Sequence, residues 1–151
     1  MRVLLAAVRK AGSESSLTQS FSSAALRYVE RIRQYEQADT ADYASEESLL
    51  AALAKLRART APLAVLLDGR GKSLSSEQFA AWIGRQRDGG AQNLVFAVGP
   101  ADGWSDAARA GSGLLLSLGP MTLPHELARV VLAEQLYRAF TILAGHPYHR
   151  E

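Results

Sequence analysis

Short, nearly unbroken apolar runs alternate with segments of helical periodicity along the whole chain. Residues 2–8 are the first such run and predict a buried strand. Over 17–35, Leu17, Phe21, Ala24, Ala25, Tyr28, Val29 and Ile32 fall on one face of a helix. A weaker strand is predicted over 36–43. Ser45 then caps a helix with Glu46 and Glu47 in its first turn, where the positive end of the helix dipole favours carboxylates. Pro62 closes that unit, and 63–67 predict a second buried strand ending at Asp68, followed by a loop, Gly69-Arg70-Gly71-Lys72. Ser75 and Gln78 have the spacing of a capping box and open a helix to residue 87, which Gly89-Gly90 stops. Residues 93–98 and 113–118 predict two more core strands, with a short helix over 104–110 between them. A long amphipathic helix follows over 124–144, and Gly145 ends it.

Strand–helix alternation with continuous apolar strands predicts an α/β fold, a parallel sheet covered by helices on both faces. No repeat, low-complexity block or linker interrupts the 151 residues, so the expectation is one domain over 1–151. The chain has no cysteine, which excludes disulfides, thiolate nucleophiles and cysteine metal sites. The apolar start is too short for a signal-peptide core, and no run approaches the roughly 20 residues of a membrane span. A cytoplasmic protein is expected. Seventeen Lys and Arg against fifteen Asp and Glu leave a net charge of only +2, so any RNA binding must come from a local cluster. Arg129, Arg138, His146, His149 and Arg150 are the candidates.

Ligands of open parallel sheets bind beyond the carboxyl ends of the strands. Three glycine-bearing segments are predicted there: Asp68 to Lys72, Gly99-Pro100-Ala101-Asp102-Gly103 and Gly119-Pro120-Met121-Thr122. Neither a dinucleotide G-x-G-x-x-G after a first strand nor a P-loop occurs. The third segment is mostly apolar and suits an adenine ring or a thioether better than a triphosphate. Asp68 is a candidate base or ribose acceptor, or simply the cap of its own turn. Trp82 and Trp104 read as packing residues, and Leu127, Val130, Val131, Leu136, Phe140 and Leu143 as a core or dimer stripe. The histidines lack helical metal-ligand spacing, so no metal site is expected. The closing hexapeptide, His146-Pro147-Tyr148-His149-Arg150-Glu151, concentrates proton-transfer and phosphate-binding groups, as expected of a tail that folds over a site.

The stretches Leu123-Pro124-His125-Glu126-Leu127-Ala128-Arg129-Val130 and Glu134-Gln135-Leu136-Tyr137-Arg138-Ala139, with that hexapeptide, resemble the ribosomal large subunit methyltransferase H family, short enzymes of the SPOUT superfamily. Tyr28-Val29-Glu30-Arg31-Ile32, Leu67-Asp68 with Gly71-Lys72, and Ala101-Asp102-Gly103 fit the same pattern. The resemblance covers essentially the whole chain and is most specific in its last third. It implies methyl transfer from S-adenosylmethionine to N3 of a pseudouridine in 23S ribosomal RNA within the ribosome. It also implies a homodimer and a deep trefoil knot in the carboxyl-terminal part. By analogy the cofactor lies against Leu67, Gly99, Leu118, Gly119, Met121, Thr122 and Leu123. Tyr148, His149 and Arg150 then reach the RNA, across the dimer, with Arg138 nearby. His149 has the pKa range to take the N3 proton, and a plain RNA contact is its competing role. Where the family has two adjacent glycines this chain has Gly99-Pro100, and proline removes a backbone donor. That departure motivates the alternative of a non-enzymatic, ribosome-associated RNA-binding module with a degenerate cofactor pocket.

Overall fold

The computed structural model describes residues 1–9, 15–56 and 59–150; Lys10 and Glu151 lie outside them. Strands β1 (Arg2–Val8), β2 (Gln37–Tyr43), β3 (Leu63–Ser73), β4 (Asn93–Val98) and β5 (Leu114–Ser117) form one parallel sheet in the order β2-β1-β4-β3-β5. Helices α1 (Ser16–Ile32), α3 (Ser76–Asp88) and α5 (His125–Leu143) cover one face, and α2 (Glu46–Ala54) and α4 (Asp106–Ala110) the other. The apolar runs are continuous because both faces are dry. Along β4, Leu94, Phe96 and Val98 pack under the first layer, and Val95 and Ala97 under the second. Val3 and Leu5 of β1 divide from Ala6 and Val8 in the same way. The expected helix-covered α/β sheet is therefore present, and no helix among the described residues is long and apolar enough to cross a membrane.

Local chemistry sets most element ends where the sequence places them. Ser45 and Ser75 both close capping boxes, the latter with Gln78. Gly90 (φ +93°) and Gly145 (φ +71°) follow the ends of α3 and α5 in the left-handed conformation. Three boundaries differ by more than one residue. Helix α1 stops at Ile32 rather than 35, because the backbone N–H groups of Tyr35 and Glu36 both turn back to the Ile32 carbonyl and lead into β2. Leu17, expected on its buried face, is 62% exposed. Helix α4 begins after Trp104, with Ser105 as its cap.

The largest difference is in β3, which does not end at Asp68 but continues through the expected loop to Ser73. Leu67 and Lys72 both stand opposite Leu116, so residues 68–71 leave the ladder as an excursion and the strand re-pairs beyond it. Gly71 makes this possible. A Cβ there would lie 2.5 Å from the Leu115 carbonyl carbon and oxygen, a gap that backbone cannot relieve cheaply. Gly71→Ala should accordingly lower the unfolding free energy by about 2 kcal/mol or more, toward the upper range for overpacking. Gly69→Ala, whose Cβ would meet nothing within 4 Å, should stay within about 0.5 kcal/mol. Urea denaturation of both variants checks the pair, and equal stabilities would show that the close approach is not tight in solution.

Candidate functional site

Since every strand runs the same way, the 68–71 excursion of β3 and the segments after β4 and β5 emerge at one edge of the sheet. There Leu67, Asp68, Gly99, Trp104, Leu123 and Ala128 help wall a hollow of about 490 Å³. Trp104 is 4% exposed and donates from Nε1 to the Leu67 carbonyl at 2.9 Å, tying the segment after β4 to β3. It is core, as expected. A Cβ at residue 99 would sit 2.7 Å from the indole, so glycine is required there by the tryptophan packed against it. Pro100 starts a turn closed by the Gly103 N–H on its carbonyl at 2.9 Å, with Gly103 at φ +86°. Asp68 accepts the Arg70 N–H at 2.9 Å and Arg109 Nε at 2.7 Å. The Arg109 hydrogen bond first, then the Arg70 N–H, holds its carboxyl below the usual range. Asp68 thus caps its own turn as a paired carboxylate, and a general base is the poorer description of it.

A second hollow of about 360 Å³ opens beside the segment after β5, walled by Ser76, Phe79, Leu118, Gly119, Val131 and Gln135 among others. Gly119 takes φ +122° there and donates its N–H to Ser117 Oγ at 3.1 Å. A larger cleft of about 1020 Å³ lies across the 100–105 segment, and part of its charge is paired internally. Arg9 bridges Glu126 at 2.8 Å and Asp42 at 2.9 Å, and Glu46 accepts both the N–H and the hydroxyl of Ser105. Arg129 belongs to this network, 3.5 Å from Asp42 and 5% exposed. It is therefore buried in the fold and unavailable to the basic cluster in which the sequence placed it.

The tail docks on its own chain. Tyr148 packs edge-on against Tyr137 with ring centroids 4.7 Å apart, and the Arg138 guanidinium lies 4.9 Å over its face. Glu134 Oε1 accepts from Arg138 Nε at 2.9 Å, Arg138 Nη2 at 2.6 Å and the Tyr148 hydroxyl at 3.1 Å. Its other oxygen accepts from Gln135 Nε2 at 2.9 Å, and Gln135 in turn accepts from Ser76 Oγ at 2.7 Å, both residues being walls of the second hollow. His149 lies between Arg138, whose Nη1 is 3.0 Å from Nδ1, and Glu77, whose Oε1 is 2.7 Å from Nε2. His146 and Arg150 are exposed.

A family model described as "Predicted SPOUT methyltransferase" matches residues 1–149. The chain belongs to the SPOUT methyltransferase family. It is 52% identical over 122 residues to the Ribosomal RNA large subunit methyltransferase H of Koribacter versatilis, covering 81% of this chain and 83% of that protein. It is 58% identical over 86 residues to the proteins of the same name from Brucella ovis and Brucella abortus, covering 57% of this chain and 51% of each. The aligned stretch thus spans about half the length of those Brucella relatives.

The expected donor-binding residues of this SPOUT chain fall on two hollows rather than one. Leu67, Gly99 and Leu123 line the first, and Leu118 and Gly119 the second. Met121, at 78% exposure, and Thr122 lie on the exposed stretch between them. Arg138, Tyr148 and His149 are brought together, and Arg150 stands outside their hydrogen bonds in solvent. Sequence reasoning missed Glu134 and Glu77, the two carboxylates that organise the tail. Among the described residues no group of three His, Asp or Glu could hold a metal.

Burial first, then the bond to Glu134, pushes the Tyr148 phenol from its ordinary 10.0 up to about 12. A raised pKa means the folded state holds the proton more tightly. The resulting stabilisation is complete below about pH 10 and is lost as the pH rises to about 12. Tyr148→Phe should therefore lose stability less steeply than wild type across that window in urea melts at stepped pH. Identical slopes would show that the phenol is no better shielded in the fold than out of it.

Proposed function

We propose that this chain is an S-adenosylmethionine-dependent methyltransferase, a single domain over 1–151, that methylates N3 of a pseudouridine in 23S ribosomal RNA on the assembled ribosome. The observation that carries the proposal is the docked tail. Arg138, Tyr148 and His149 form one hydrogen-bonded cluster joined through Glu134 and Gln135 to the hollow walled by Leu118 and Gly119. The names of the relatives support the RNA substrate, and the family supports the reaction type. The homodimer, the trefoil knot and a cytoplasmic location accompany the proposal through the same resemblance. Exposed Leu17 and Leu26 on α1 suit a partner surface.

The hollows fit such a donor. At about 490 and 360 Å³ they have the size of small-ligand sites, with apolar walls at Leu67, Leu123, Leu118 and Val131 and side-chain-free backbone at Gly99 and Gly119. When bound, the donor supplies an electrophilic methyl carbon on sulfonium sulfur, so the protein has to position the acceptor rather than activate the methyl group. Leu67, Gly99, Leu118, Gly119, Met121, Thr122 and Leu123 hold the donor edge. Arg138 and Arg150 hold the acceptor's carbonyl and phosphate oxygens, and Tyr148 fixes Arg138 by stacking. A guanidinium only donates, so Nδ1 of docked His149 is an acceptor and its proton sits on Nε2, facing Glu77. With both nitrogens engaged, His149 orients and contacts the RNA, and the N3 proton leaves to solvent water rather than to the imidazole.

Equilibrium dialysis with S-adenosylmethionine and single-turnover methylation of ribosomes test the proposal together. Saturable uptake with methylation of pseudouridine is expected, and absence of uptake would favour the RNA-binding module that Pro100 suggests. His149→Ala should lower the single-turnover rate about 100-fold while leaving donor affinity within about twofold. Lost donor binding with intact chemistry would reverse the assignment. Arg150→Ala should weaken ribosome binding and reduce the salt slope by about one, whereas an unchanged slope would remove the phosphate contact.

A further inference from the structure

We infer that Glu77 is a positioning residue of this methyl-transfer site: by accepting the His149 Nε2–H it keeps the His149 Nδ1 lone pair on Arg138 and the tail seated beside the donor hollow. The inference rests on the function proposed above and adds a residue outside the tail and outside the donor loops. Glu77 lies in the first turn of α3, next to the Ser75 cap, where the helix dipole favours its ionised form. The His149 hydrogen bond is the leading cause holding its carboxyl below the usual range. That contact spans 72 residues of sequence at 2.7 Å.

The neighbouring Ser76 reaches Gln135 at the wall of the second hollow, so a single helical turn touches both the hollow and the tail. On the other side of the imidazole, Arg138 is held three ways: Nε and Nη2 by Glu134, Nη1 by His149 Nδ1. A guanidinium has five N–H groups, so one remains on each terminal nitrogen for an oxygen of the acceptor. Were His149 to change tautomer, Nδ1–H would confront a donor-only guanidinium and Arg138 would turn away. The Glu77 side chain is itself 51% exposed. A hydrogen bond that open adds little to folding, so its main effect is on which way the imidazole faces.

Two variants test this. Glu77→Ala removes the acceptor, and Glu77→Gln keeps a neutral acceptor of the same reach. In Glu77→Ala without donor or RNA, ¹⁵N spectra of labelled histidine should show His149 shifted from the Nε2–H tautomer toward a mixture, with the thermal midpoint unchanged. Single-turnover methylation of ribosomes should fall about tenfold at unchanged dialysis affinity for S-adenosylmethionine. Glu77→Gln should restore the tautomer and most of the rate. A wild-type His149 spectrum in Glu77→Ala, or a Gln variant as impaired as the Ala variant, overturns the role of Glu77. The spectra need no turnover, so a wild-type protein that fails to methylate anything would sink the proposed function without deciding the tautomer.

Discussion

With all five strands parallel, neither face of the sheet can meet water and every strand delivers its carboxyl end to the same edge. Both hollows follow from this constraint. The 68–71 excursion of β3 and the segments after β4 and β5 are crowded against one another, and small residues and a hydrogen bond to backbone resolve the crowding. Gly99 makes room for the Trp104 indole, Gly71 lets β3 pass the β5 backbone, and the Leu67 carbonyl takes the indole N–H. That packing makes a rim shaped in advance, with Asp68, Arg70, Asp102 and Arg109 along the first hollow and Leu116, Leu118 and Val131 along the second.

Against that rigid rim the tail is held by polar contacts and one aromatic pair. It contributes Tyr148 to the edge of the core, beside Tyr137, and otherwise hydrogen-bonds to α5 and α3. Such contacts exchange with water at modest net free energy, so they fix direction more than they add stability. The opposite end of α5 is built differently. Arg129 is buried, and Arg9 and Asp42 bind the helix start to β1 and β2, so loss of one partner there strands a charge in the interior.

The sequence was most legible where structure is decided within a few residues. The cap at Ser45, the capping box at Ser75, glycines after α3 and α5, and apolar runs under two helix layers all act locally, and the elements lie close to where those signals put them. It was least legible where partners are distant. Residues 69–72 have the composition of a loop, and only pairing with β5 makes their end a strand. Arg129 belongs by charge with the basic tail, but a helical pattern does not reveal that Asp42 of β2 waits on its side. Glu77 is an acid in the first turn of a capped helix, a position the helix dipole accounts for by itself, and its partner His149 lies at the far end of the chain. That the tail folds over a site, and that Arg138 and His149 belong to one cluster, was legible in the density of such groups at the chain's end, whereas the joint role of Arg138, Tyr148 and His149 came only through resemblance.

Glu134 carries a burden of a different kind. A single oxygen atom serves two side chains, Arg138 and Tyr148, which also stack on each other. Groups sharing one acceptor cannot be exchanged independently, because losing either re-aims the carboxylate for the other. The three positions are therefore coupled, and the cost of replacing any two of them together departs from the sum of the single replacements.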